Sequence, residues 1–251
     1  MPLKKISLLP ERVTEWQQYP FSVPAISSLR ELIIRTPIVS FAGENGSGKS
    51  TLLEALAIHY GFGREGGSRN FHSETTDSVR AVDPLVKALR VAFTRRTGDG
   101  FYLRAESFFN TATTIDELGV SSSYGGRSLH AQSHGESFLA LAVSKFNRSG
   151  FYVMDEPEAA LSPQRQLSLL AILHDLLRKA KAVQIVIATH SPILLAYPGA
   201  QIFSFDDGVV HEILYRESAS YLLCSRFLAN PDSYLRALFD EDPLFHREPR
   251  E

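Results

Sequence analysis

The chain has 251 residues, of which 44% are hydrophobic and 22% charged, a balance typical of a globular protein that can bury a core. Its formal net charge of −2 gives no general argument for binding nucleic acid or an anionic membrane. The single cysteine, Cys224, excludes a disulfide within the chain and suits a reducing cytosol. No apolar run approaches the ~20 residues of a membrane span, and the first twelve residues do not form a credible signal peptide. We therefore expect a cytoplasmic protein with no direct membrane insertion.

The first predicted elements are short. Residues 5–9 predict a strand, and residues 25–34 are apolar at mixed spacing. Between them lies an aromatic cluster, Tyr19, Pro20 and Phe21. An aromatic ring there could stack on adenine, although packing against a strand edge is the simpler interpretation.

The glycine-rich loop at residues 43–50 is the most informative stretch. It follows the phosphate-binding pattern of glycine, four residues, glycine, lysine and serine. A buried strand is predicted before it and a buried helix after it, which is the context that this pattern requires. Glycines let the N–H groups of the loop converge on a phosphate, and the helix adds its positive N-terminal end. The candidate nucleotide-binding residues are Gly43, Glu44, Asn45, Gly46, Ser47, Gly48, Lys49, Ser50 and Thr51. Lys49 is placed to reach the outer phosphates, and Ser50 offers a hydroxyl to Mg²⁺.

The following stretch carries little chemistry of its own. Residues 61–80 are rich in glycine and polar residues and predict a loop. A hairpin is predicted at residues 85–106, closing at a Gly98-Asp99-Gly100 turn, and a helix at 107–118. We expect residues 61–132 to form an inserted hairpin and helical lobe.

An apolar strand at residues 150–156 ends in two acids. With a phosphate loop upstream, we expect Asp155 to hold Mg²⁺ through water and Glu156 to orient or deprotonate an attacking water. A second buried strand, at 183–188, is followed by His190. This histidine could contact the γ-phosphate and keep the water in line; alternatively, it caps the short helix at Pro192.

The remaining elements continue the alternation of strands and helices. A helix begins at Ser162 and Pro163 and runs to about residue 181. Its predicted apolar face carries Leu167, Leu170, Ala171 and Leu177. Residues 201–251 predict a hairpin around an Asp-Gly turn and then two helices, near 217–228 and 231–239. The alternation favours a parallel α/β sheet, in which ligands bind at the carboxyl ends of the strands.

In this order the motifs resemble those of the ATP-binding cassette (ABC) ATPases. The resemblance covers about residues 38–195 and is strongest to the stand-alone bacterial ABC-type ATPases labelled AAA, relatives of SMC and RecF-like heads. The motifs that carry it are the phosphate loop at 43–50, the signature Ser133-His134-Gly135-Glu136, the acidic strand end 155–157, the loop 160–162 and the switch segment 189–191.

The resemblance implies one ABC-type ATPase domain over residues 1–251. Its fold would be an α/β phosphate-loop NTPase head, with a mostly parallel central sheet, an antiparallel β portion and a helical lobe. The implied activity is Mg²⁺-dependent ATP hydrolysis, with Glu156, His190 and Lys49 as catalytic residues and Ser50 and Asp155 as metal-holding residues.

The resemblance also implies a homodimer that forms on ATP binding, with two ATP molecules sandwiched head to tail. Ser133, Gly135 and Glu136 of one copy would then meet the γ-phosphate bound by the other. These residues precede an apolar helix, whose N-terminus can face an anion.

Two features depart from the family's pattern. His134 and Glu136 stand where transporter signatures carry glycine and glutamine, which favours the SMC-like branch. In addition, no glutamine occurs between Thr51 and Ala131, the region of the family's Mg²⁺- and water-contacting glutamine. Glu106 or Asn110 could substitute for it.

The purpose of the ATP is open at this point. Lys49 and Ser133 lie 84 positions apart with no heptads between them, which excludes an SMC-type rod. Residues 61–110 hold eight basic residues against six acids, so nucleic-acid binding is conceivable but unsupported. We expect action on an unidentified protein partner, or in DNA repair or defence. The alternative is the nucleotide-binding subunit of an ABC transporter. Glu156 argues against a nucleotide-gated module with little turnover, and the signature argues against a small-molecule kinase.

Overall fold

A computed structural model describes residues 2–68, 81–94, 99–106 and 134–239, which form two β-sheets covered by helices. The larger sheet has the strand order β5-β6-β7-β3-β8-β9. Its strands are β3 (Ile38–Ala42), β5 (Gly100–Arg104), β6 (Gly150–Asp155), β7 (Val183–Thr189), β8 (Gln201–Ser204) and β9 (His211–Ile213). Every neighbouring pair in it is parallel except β8 and β9. The predicted α/β fold with a mostly parallel central sheet is confirmed.

A smaller antiparallel sheet supplies the predicted antiparallel portion. It has the order β2-β1-β4, with β1 at Leu3–Leu8, β2 at Glu31–Ile33 and β4 at Leu89–Phe93. Its buried side chains share one apolar cluster with the helix that follows the phosphate loop.

The helices pack on both faces of the larger sheet or follow it in the chain. They are α1 (Pro24–Ser27), α2 (Lys49–Tyr60), α3 (Asp83–Ala88), α4 (His134–Lys145), α5 (Pro163–Lys179), α6 (Pro192–Leu195), α7 (Ala219–Ala229) and α8 (Pro231–Phe239). No helix within the described ranges is long and apolar enough to cross a membrane.

The strand β6 shows how the core is divided. Phe151 and Val153 belong to the cluster that contains α2, whereas Tyr152 and Met154 belong to the cluster that contains α4 and α5. Successive side chains of a strand point to opposite faces, so a strand covered on both sides must be apolar throughout. All six residues of β6 are buried, which explains its continuous apolar run up to Asp155.

The C-terminal predictions are confirmed. β8 and β9 pair as a hairpin, and α7 and α8 follow it. At the turn Asp207 and Gly208 have φ angles of 61° and 73°, a left-handed conformation that Asp and Gly tolerate well.

The predicted hairpin at residues 85–106 is wrong. β4 pairs with β1 in the small sheet, whereas β5 pairs in parallel with β6 at the edge of the large sheet. Two apolar runs around a glycine turn are typical of a hairpin, but here each strand gains a longer partner elsewhere in the chain. The predicted helix at 107–118 and most of the predicted lobe at 61–132 lie outside the described residues.

The predicted buried face of α5 is confirmed only in part: Leu170 and Leu177 are partly buried and pack against the core, whereas Leu167 and Ala171 are exposed. The buried residues are Gln166, Leu169, Leu173 and Leu176, while Leu167 is 53% exposed. Leucines occupy both sides of this helix. The helical spacing of 3.6 residues per turn therefore fits two possible buried faces, one shifted along the chain by one residue from the other. Pro163 is the first helical residue as predicted, but the Ser162 side chain accepts no capping hydrogen bond.

Two substitutions on α5 test which face is buried. Leu173→Ala should lower the free energy of unfolding by about 2–5 kcal/mol, because a fully buried leucine leaves a cavity. Leu167→Ala should change it by less than about 0.5 kcal/mol, because that side chain lies at the surface. Urea unfolding monitored by circular dichroism measures both, and equal losses would contradict the structure.

Candidate active site

The phosphate loop begins at the carboxyl edge of the central sheet. Ala42 pairs with Thr189, and Asp155 pairs with Ala188, so the chain leaves β3, β6 and β7 at the same level. The loop, the acidic strand end and the switch histidine are therefore neighbours, as predicted. β3, the loop and α2 also form the predicted strand, loop and helix.

The backbone of the loop requires glycine at defined positions. Gly43, Gly46 and Gly48 have φ angles of 148°, 81° and 102°, in the region that side chains disfavour. At Gly48 there is also no room, since a side-chain carbon would lie 2.9 Å from Cγ1 of Val23.

The polar groups of the loop suit a phosphate ligand. Lys49 is 2% exposed, and its Nζ donates a 2.7 Å hydrogen bond to the carbonyl oxygen of Glu44. Burial lowers the pKa of Lys49, and the nearby Glu156 and Asp155 oppose that effect. Ser47 Oγ is buried with no hydrogen-bond partner among the described atoms. A buried cation and an unpartnered hydroxyl are groups that an anion would satisfy.

Ser50 and Asp155 form the candidate magnesium site. Ser50 Oγ donates a 2.7 Å hydrogen bond to Oδ1 of Asp155, whose side chain is 5% exposed. Mg²⁺ prefers oxygen ligands and is usually held by one or two carboxylates together with substrate phosphates. This donor pair fits such an ion. Within the described ranges no cluster of three His, Cys, Asp or Glu residues could hold a metal by itself.

Glu156 lies next to this pair in a strained conformation. Its φ and ψ angles are 46° and 51°, which is left-handed and uncommon for a residue other than glycine. Its N–H donates to the carbonyl oxygen of Ala188 at 2.9 Å, and its Oε1 lies 3.9 Å from Nζ of Lys49. The fold therefore holds this carboxylate towards the lysine of the phosphate loop.

His190 follows β7 with its side chain about half exposed. Its Nδ1 lies 3.3 Å from Oε1 of Glu158. The alternative that His190 caps the next helix is wrong: Ser191 Oγ accepts hydrogen bonds from the N–H groups of Ile193 and Leu194. His190 thus has no capping role, and its ring remains accessible at the edge of the sheet.

Glu158 organises this edge, and the sequence analysis gave it no role. Its side chain is 6% exposed, and its Oε1 accepts hydrogen bonds from Thr189 Oγ1 at 2.6 Å, His190 N at 2.7 Å and Ser191 N at 3.2 Å. It therefore ties the turn after β6 to the turn after β7. The available signal was an acid two positions beyond Glu156, between the acidic strand end at 155–157 and the loop at 160–162.

Arg104 is a second residue that sequence reasoning missed. It ends β5 beside Asp155, and its Nε lies 3.6 Å from Oδ2 of that residue. Two further carboxylates surround its guanidinium group: Glu54 Oε2 lies 3.4 Å from Nη1, and Glu106 Oε2 lies 3.2 Å from Nη2. Glu106 is two positions along the chain, but Glu54 comes from α2 and Asp155 from β6, so nothing in the local pattern around Arg104 pointed to those two partners.

A cavity of about 780 Å³ lies beside Ser50, Asp155, Glu156 and Arg104. Its lining residues are Asn45, Ser50, Arg104, Ala105, Glu106, Asp155, Glu156, Ala159 and Ala160. Glu106, one of two candidates to replace the missing glutamine, thus lines the same cavity as the candidate magnesium site, while Asn110 lies outside the described residues.

Of the signature, Gly135 and Glu136 do not line this cavity. Gly135 and Glu136 begin α4, where Arg165 Nη2 donates a 3.0 Å hydrogen bond to Oε1 of Glu136. A side-chain carbon at Gly135 would lie 2.5 Å from Nη1 of Arg165 and 3.1 Å from the carbonyl oxygen of Ala160, so a larger residue there would displace the Arg165 side chain. Ser133 lies outside the described residues.

The aromatic cluster divides into two roles. Phe21 is 2% exposed and packs in the core, as the simpler interpretation predicted. Tyr19 is 48% exposed, and its hydroxyl forms a 3.0 Å hydrogen bond with Oγ1 of Thr51. Of the two rings, only Tyr19 is exposed beside the phosphate-loop helix.

The buried carboxylate of Asp155 predicts a pH-dependent stability. Burial raises the pKa of Asp155 to about 6, against the opposing effects of the Ser50 hydrogen bond and Arg104. An unfolded chain titrates near 4 at this residue, so the folded state holds the proton more tightly and ionisation destabilises it as the pH rises from about 4 to about 6. In metal-free buffer Asp155→Asn should therefore exceed the wild type in unfolding free energy above pH 6, by up to about 3 kcal/mol.

Urea unfolding between pH 4 and pH 8 measures this difference, which should shrink towards pH 4. Asp175→Asn, on the exposed surface of α5, controls for the loss of one acidic charge. If the difference in unfolding free energy between Asp155→Asn and the wild type did not vary with pH, it would contradict the raised pKa of Asp155.

Part of the chain matches a known family. Residues 118–196 match the family described as "AAA domain, putative AbiEii toxin, Type IV TA system". This range includes α4, β6, α5 and β7, with Asp155, Glu156 and His190, but not the phosphate loop. The loop motif is therefore an independent observation.

Two curated proteins are similar in sequence. The xylose import ATP-binding protein XylG of Moorella thermoacetica is 24% identical, over 71% of this chain and 39% of that protein. The peptidoglycan transport ATP-binding protein YejF of Agrobacterium fabrum is 26% identical, over 66% of this chain and 37% of that protein. The chain spans well under half the length of these relatives.

Two solved SMC heads show weaker likeness. The SMC head domain from Thermotoga maritima has a TM-score of 0.47 and 17% identity, over 85% of this chain and 98% of that one. An SMC head bound to the C-winged helix domain of ScpA has a TM-score of 0.49 and 14% identity, with the same coverage. Neither score is high enough to support an inference. A phosphate loop beside an acidic strand end, in a chain similar to two ATP-binding proteins, supports a phosphate-loop protein of the ABC ATPase type.

Proposed function

We propose that the protein hydrolyses ATP with Mg²⁺ and forms a head-to-tail homodimer when ATP binds. The observation that carries the hydrolysis is the position of Glu156. Its strained backbone holds a carboxylate 3.9 Å from the phosphate-loop lysine and in the same cavity as Ser50 and Asp155. A protein that only bound ATP would not need a second acid held in this conformation.

The polar groups at this edge of the sheet have separate tasks in phosphoryl transfer. The loop N–H groups and Lys49 bind the phosphates, and Ser50 and Asp155 hold Mg²⁺. When bound, Mg²⁺ neutralises negative charge on the phosphate oxygens. Glu156 orients the attacking water and accepts its proton, while His190 keeps that water in line. The carboxylate of Glu158 accepts a hydrogen bond from the backbone N–H of His190 and so positions that residue.

The signature supports the dimer. Gly135 and Glu136 lie at the start of a helix yet do not line the cavity that contains Ser50 and Asp155. The N-terminus of a helix attracts anions. We therefore propose that these residues, with Ser133, contact ATP bound by a second copy of the chain.

The catalytic role is tested with Glu156→Gln, which keeps the size of the side chain but cannot accept the proton. Turnover should fall by about 100-fold or more, as for loss of a general base. Because ATP persists, light scattering coupled to size exclusion should show a dimer that accumulates with MgATP. Glu31→Gln, a matched change at an exposed residue paired with Lys5, should behave as the wild type.

Two results would contradict this account. Normal turnover of Glu156→Gln would remove Glu156 from catalysis. If no MgATP-dependent dimer forms and Ser133→Arg leaves hydrolysis intact, the composite site is wrong, because an arginine at the signature should block the second copy.

The cellular role is a separate proposal. We propose that the protein acts in the cytoplasm on a partner protein, or in DNA repair or defence, with nucleic-acid binding still unsupported. The names of the two curated relatives favour a second candidate, the ATP-binding subunit of a transporter. The atypical signature at His134 and Glu136 and the absence of the loop glutamine argue against that candidate.

A further inference from the structure

The candidate metal site contains a cation from the protein itself. Arg104 lies among three carboxylates, with Nε 3.6 Å from Asp155 Oδ2, Nη1 3.4 Å from Glu54 Oε2 and Nη2 3.2 Å from Glu106 Oε2. None of the motifs that bind phosphate or magnesium includes this residue. Its position in the cavity beside Ser50 raises the question of what it does there.

The surroundings hold the guanidinium group in place. Glu54 lies on α2 four residues after Ser50, so the two side chains share one face of that helix. Glu54 is 12% exposed and cannot be left buried without a partner at little cost. Arg104 itself is 25% exposed. The ion pair with Glu54 thus holds the guanidinium group in the site, because moving it away would leave the buried carboxylate of Glu54 without this partner.

The two oxygens of Asp155 are divided between two groups. Oδ1 accepts the hydrogen bond from Ser50, whereas Oδ2 faces Arg104 at a distance that is an ion pair but not a hydrogen bond. The metal-holding side of the carboxylate therefore stays available. The charge of Asp155 is nevertheless partly balanced before any metal arrives.

Without Arg104 the site would gather uncompensated acids. Asp155, Glu54 and Glu106 would have lost their shared cation, and Glu156 lies in the same cavity. These carboxylates do not form a complete metal site by themselves, but the affinity of a site for a divalent cation rises with the negative charge around it. A guanidinium group among them repels a second cation and lowers that affinity.

We propose that Arg104 excludes free divalent cations from this site, so that Mg²⁺ enters only together with the triphosphate. The phosphates supply the additional negative charge that overcomes the repulsion from Arg104. Arg104 is thus a positioning residue that acts through Asp155 and makes metal binding depend on nucleotide. This proposal rests on the assignment of Ser50 and Asp155 as the magnesium site.

The test measures Mn²⁺ binding to the nucleotide-free protein by electron paramagnetic resonance, with Mn²⁺ as the probe for Mg²⁺. Arg104→Gln should bind Mn²⁺ at least about tenfold more tightly than the wild type, because a positive charge beside the ion is gone. Arg104→Lys keeps the charge and should stay close to the wild type. Arg35→Gln, which removes an exposed arginine paired with Glu212, is the matched control.

A double variant separates the local cation from net charge and from folding. Glu54→Gln with Arg104→Gln has the same formal charge as the wild type and leaves no buried glutamate unpaired. It should still bind Mn²⁺ more tightly than the wild type. Thermal unfolding in chelator establishes that each variant is folded, and if Arg104→Gln is not, the double variant decides the question.

The outcomes distinguish this inference from the proposed function. Mn²⁺ affinity of the double variant equal to that of the wild type overturns the role of Arg104. Tight Mn²⁺ binding by the nucleotide-free wild type overturns it as well. Titration calorimetry with ATP on the same samples tests the site independently: a wild type that bound no ATP with or without Mg²⁺ would refute the proposed function instead.

Discussion

The hydrogen bond from Ser50 to Asp155 joins two parts of the chain that are 105 residues apart. Asp155 ends β6, whereas Ser50 lies on α2, which follows β3 and the phosphate loop; β7 lies between β6 and β3. The two side chains meet only because the three strands are parallel and end at the same level. This one contact depends on the alternation of strands and helices, on the burial of both sheet faces and on the register of β6 on β7.

Burial of charge is the second constraint on this edge. Lys49, Asp155 and Glu54 are each nearly buried, and such groups destabilise a fold unless partners compensate them. Opposite charges compensate one another here: Lys49 lies near Glu156, and Arg104 lies near both Asp155 and Glu54. Glu158 plays the equivalent part for the backbone of the turn after β7. This edge of the sheet is therefore held by a connected set of ionic and polar contacts rather than by apolar packing alone.

Local patterns in the sequence predicted the parts of this site that depend on neighbouring residues. The phosphate loop, the strand that ends in Asp155 and the C-terminal hairpin each have short signals with a direct backbone cause. Partners across the fold were not predictable in the same way. The pairing of β4 with β1, the buried face of α5 and the contacts of Arg104 and Glu158 depend on which distant element packs alongside, and the local pattern fitted an alternative equally well. The assignments of Ser133 and of the whole chain as one domain stay predictions.

The Ser50–Asp155 link is tested most directly by a double-mutant cycle on ATP affinity. Calorimetry with and without Mg²⁺ would compare the wild type with Ser50→Ala, Asp155→Asn and the double variant. If the two side chains hold one magnesium ion, each single change removes the gain in affinity that Mg²⁺ gives, and the double variant loses no more. Losses that simply add, or a full Mg²⁺ effect in the double variant, would contradict a shared metal site.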